Sequence, residues 1–122
     1  MIKWTPDDVA SFLGTTAIQP WDEGTELRFG FPTGAATAEL RVLPFDESVI
    51  VVVWVGSKEE DEIVRMSFNC NRIEVVDEIE EEGGPSLQIR ADAGDSTITS
   101  GLGIGRGPKG FSIHGVSLRK KS

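Results

Sequence analysis

The chain is short of the residues most often recruited for chemistry: its 122 residues include one histidine, one cysteine and no tyrosine. The lone cysteine, Cys70, leaves no internal disulfide, which points to a reducing compartment and to the cytoplasm. A Ser-His-Asp or Cys-His arrangement would have to recruit His114 or Cys70, and both stand in strand-like segments where packing is the expected role. Zinc needs more histidine and cysteine than this. Calcium needs oxygens at fixed loop spacing, which neither acidic run, 59–62 or 78–82, supplies. No catalytic residue, metal or cofactor is therefore expected.

Long apolar runs are also missing. The longest, 49–55, is far below the roughly 18 residues of a membrane-spanning helix and reads as a strand buried on both faces. The first residues lack the apolar stretch and small-residue cleavage site of a secretory leader. Basic residues are outnumbered by acidic ones, 12 to 20, and the net charge of −8 argues against nucleic acid, whose phosphates are bound by Lys and Arg. The imbalance is local. Residues 96–122 carry five basic side chains and no acidic one, so the remaining seven basic and all 20 acidic residues lie before them. Segregation of this kind can orient a partner.

What is present suffices for a core: 39% of residues are apolar and 26% charged, as in an ordinary globular domain, and the length suits one domain over 1–122. Thr5-Pro6-Asp7-Asp8 reads as a helix start, with a hydroxyl at the N-cap, proline at the first helical position and carboxylates against the positive end of the dipole. Val9, Phe12 and Leu13 share one face and Gly14 supplies the stop, giving a helix over 5–14. Beyond Gly24 the apolar period becomes two, and strands are expected over 25–31, 36–44, 48–55, 62–70, 72–80, 86–91, 96–104 and 110–119. The expected fold is mainly β, bordering on α+β: about eight antiparallel strands in a meander that forms a curved sheet, sandwich or partial barrel, with the helix packed on it. Ile50, Val52 and Trp54 call for a cover, either the helix or another subunit, of which the helix is the simpler, and the phase change around His114 and Gly115 suggests a bulge.

Gly101, Gly103, Gly105, Gly107 and Gly110 form the most unusual stretch. Gly105 to Gly110 matches G-x-G-x-x-G, but Pro108 removes a donor and a strand-like segment follows where a dinucleotide fingerprint needs a helix. Sheet bending or close packing is the leading role for these glycines, with an anion or ligand cradle of Arg106 and Lys109 as the alternative. Trp21 stands in a loop, where an aromatic ring suits an interface or a sugar. The segment Phe111 to Leu118 resembles the closing strand of carbohydrate-binding jelly rolls, which makes a sugar one ligand to consider.

Three functions follow in order of support. The first is a small non-enzymatic cytoplasmic interaction module, acting on a protein partner or a second copy through an acidic face (Glu59, Glu60, Glu80, Glu81, Glu82) or a sheet edge. The second is a small-ligand or carbohydrate-binding β domain using Trp21, Arg106 and Lys109. An enzyme built on a carboxylate pair comes last.

Overall fold

Alternating apolar residues build two four-stranded meanders in succession, and the computed structural model describes residues 2–19, 25–56, 62–76, 85–91, 98–107 and 110–119. The first meander contains β1 (Leu27–Thr33), β2 (Ala36–Leu43), β3 (Ser48–Trp54) and β4 (Glu62–Asn69). The second contains β5 (Arg72–Val76), β6 (Ser86–Ala91), β7 (Ile98–Gly107) and β8 (Gly110–Arg119). Every ladder is antiparallel, and the spatial order is β4-β3-β2-β1-β8-β7-β6-β5 in one unclosed sheet. The expectation of eight antiparallel strands and one short helix is met.

The first and last strands thus meet in the middle of the sheet, and they meet narrowly: the β1–β8 ladder consists of Thr33 opposite Gly110. The chemistry of β1 accounts for this. Arg28 exchanges both backbone hydrogen bonds with Ile18, at 2.8 and 2.9 Å, so even-numbered residues of β1 direct their backbone groups away from β2. Arg28 is then already engaged on the β8 side, and Pro32, on the same side, has no N–H to give. Gly110 fits the remaining contact because it lacks a Cβ: its φ is +108°, and a Cβ there would stand 3.1 Å from the carbonyl oxygen of Pro32.

At the other extreme, β4 and β5 lie at opposite ends of the strand order yet are joined through Cys70 and Asn71 alone. Three Cα–Cα steps span at most about 11 Å, so the sheet must fold back until its edges approach at this corner. One core results, shared by Phe29, Leu40, Val49 and Val51 from the first meander and Ile73, Leu87, Ile89, Leu102 and Ile104 from the second.

Helix α1 (Pro6–Leu13) packs against β1 and β5 and buries Val9, Phe12 and Leu13, the face read from the sequence. Gly14 closes it in the left-handed region at φ 67°. Thr5 occupies the N-cap with extended backbone, but its side chain makes no capping hydrogen bond. The flanks of α1 are tied down separately. Lys3 bridges to the outer edge of β5, through Lys3 N–H to Asn71 O and Ile73 N–H to Lys3 O, while Ile18 bridges to β1.

Two local expectations are corrected. The helix does not cover β3, since it docks on β1 and β5. Val52, fully buried, instead lies between Glu39 and Arg65 in the register of its own sheet, where long side-chain stems can cover apolar surface. The second is the bulge at His114 and Gly115: the β7–β8 register runs unbroken from Ile98 opposite Arg119 to Gly107 opposite Gly110. The irregularity lies in β4, where Val53 faces Val64 and Trp54 faces Glu62, leaving Ile63 as the extra residue.

Candidate functional site

The one sequence-derived ligand-site residue within the described structure is Arg106, and it is engaged inside the molecule. Arg106 Nη2 donates to the carbonyl oxygen of Phe12, at 2.5 Å, and its guanidinium lies over the Phe12 ring at 4.7 Å. Phe12 O belongs to the last turn of α1, whose final carbonyls have no helical donors, and α1 itself carries no basic residue there. A cation from β7 therefore supplies what the helix C-terminus lacks. Around this contact Phe111 meets Phe12 at 5.8 Å and Phe31 edge-on at 5.6 Å, while Trp4 packs edge-on against Phe29 at 6.1 Å. Phe12, Phe111 and Phe31 thus join the helix, β8 and β1, and Arg106 attaches β7 to them through the Phe12 ring.

The other named candidates, Trp21, Lys109, Glu59, Glu60, Glu80, Glu81 and Glu82, lie outside the described residues.

The glycine stretch forms a regular strand over 98–107. From Ser100 to Gly105 it is paired with β6 on one side and β8 on the other, so its backbone groups serve the two ladders. Leu102 and Ile104 enter the core. A Cβ at Gly101 would stand 2.3 Å from the carbonyl oxygen of Ile89, so here the missing side chain permits a close approach of the β6 backbone.

Ion pairs recur on the strands: Glu26 with Arg28, Glu39 with Arg41 at 2.7 Å, and Glu74 with Arg90 across β5 and β6. Arg90 Nε is buried without a hydrogen-bond partner, although its Nη2 meets Glu74. Cys70 is buried, and its Sγ lies 3.5 Å from the carbonyl oxygen of Arg72. Among the described residues, no cluster of three or more His, Cys, Asp and Glu side chains could hold a metal, and no helix is long and apolar enough to cross a membrane.

The two ends of the sheet differ. The edge of β5 is bridged by Lys3, whereas the one ladder of β4 among the described residues is with β3. Cys70 N–H donates to Glu47 O at 2.8 Å, continuing the β3–β4 register by one hydrogen bond, while Glu47 N–H turns back to Pro44 O. By alternation, Phe68, Met66 and Val64 direct their backbone groups toward β3, while Asn69, Ser67 and Arg65 direct theirs outward. Val64 is 37% exposed although it shares a face with Met66 and Phe68, the latter packed against the core. Sequence periodicity located β4 but carried no sign that it would end the sheet. Comparison with known protein families, curated proteins and solved structures gives no match.

Proposed function

We propose that this chain is a non-enzymatic, cytoplasmic interaction module that takes an extended segment of a partner along the outer edge of β4. The observation that carries this reading is the contrast between the sheet ends among the described residues: β5 is bridged by the N-terminal arm, and Ser67 and Asn69 of β4 direct their backbone groups outward on the strand that exposes Val64. An edge of this kind is a template for strand addition, in which main-chain hydrogen bonds give affinity and alternate side chains give selectivity. Within 64–69 the edge carries no proline and no acidic residue, and Arg65 is its one charged side chain. The cytoplasmic assignment rests on the single cysteine, which permits no internal disulfide.

Fluorescence anisotropy with a labelled hexapeptide alternating valine with threonine and glutamate tests this reading. Wild type should bind it, and Ser67→Pro should weaken binding by about tenfold or more, because proline removes an outward N–H that the β3 ladder does not use. Equal binding by the two proteins, with both folded, would sink the proposal.

A further inference from the structure

We draw no further inference here: the strongest candidate, the row of cations Lys3, Arg72 and Arg90 that the register sets side by side across the N-terminal arm, β5 and β6, carries none, because Arg90 is paired with Glu74, Arg72 is engaged within the molecule, and the unpartnered Arg90 Nε is buried beyond the reach of a ligand.

Discussion

Single residues in this fold are constrained most where a side chain is missing or has travelled far. Gly101 is the clearest case of the first. Its place in an alternating run marked it for close packing from the sequence, and the structure identifies the neighbour as the Ile89 carbonyl. Gly101→Ala should cost about 1–3 kcal/mol in urea denaturation because the β6 and β7 backbones must separate. Arg106 is the second case. A basic residue in a glycine-rich stretch suggested an anion cradle, and nothing local indicated a partner so distant in sequence as Phe12. Arg106→Met should lower stability by about 1 kcal/mol, since a cation–π contact and a hydrogen bond to the helix end are both lost. Thr5 gives the contrasting expectation. Its hydroxyl makes no capping bond, so Thr5→Ala should change stability by less than about 0.5 kcal/mol, where a working cap would cost about 1 kcal/mol.

At the level of elements, helix and strands were legible because burial follows spacing. Val9, Phe12 and Leu13 fall on one helical face, and the alternation of Leu27, Phe29 and Phe31 gives the inward face of β1. Strand order was not legible, because periodicity records which face is covered and not which neighbour stands beside it. The same limit explains the misplaced cover for β3: a run apolar on both faces implies burial, but Val52 obtains it without the helix. The shifted apolar phase in β8 resembled a bulge and is instead a change of side-chain character within an unbroken register. The β1–β8 junction is where one substitution should act on an entire element. Gly110→Ala must hold φ near +108° against Pro32 O, at a cost of about 1–3 kcal/mol, and hydrogen exchange in β8 should rise more than in β3.

Across the whole molecule, charge and chain order set the behaviour. A net charge of −8 with all 20 acidic residues in the first 95 makes the folded state repel itself, so raising sodium chloride should raise the melting temperature; a fall would count against this account. The two meanders are consecutive stretches of chain that share one core. On a ribosome moving at about 5–20 residues per second, the first meander is therefore complete for roughly 3–10 seconds before its counterpart exists. During that interval Phe29, Leu40 and Val51 have no second layer to cover them, and the helix that emerged first is the cover at hand. The division into two meanders joined at a narrow seam thus makes the nascent chain, more than the finished protein, the form most exposed to aggregation and to chaperones.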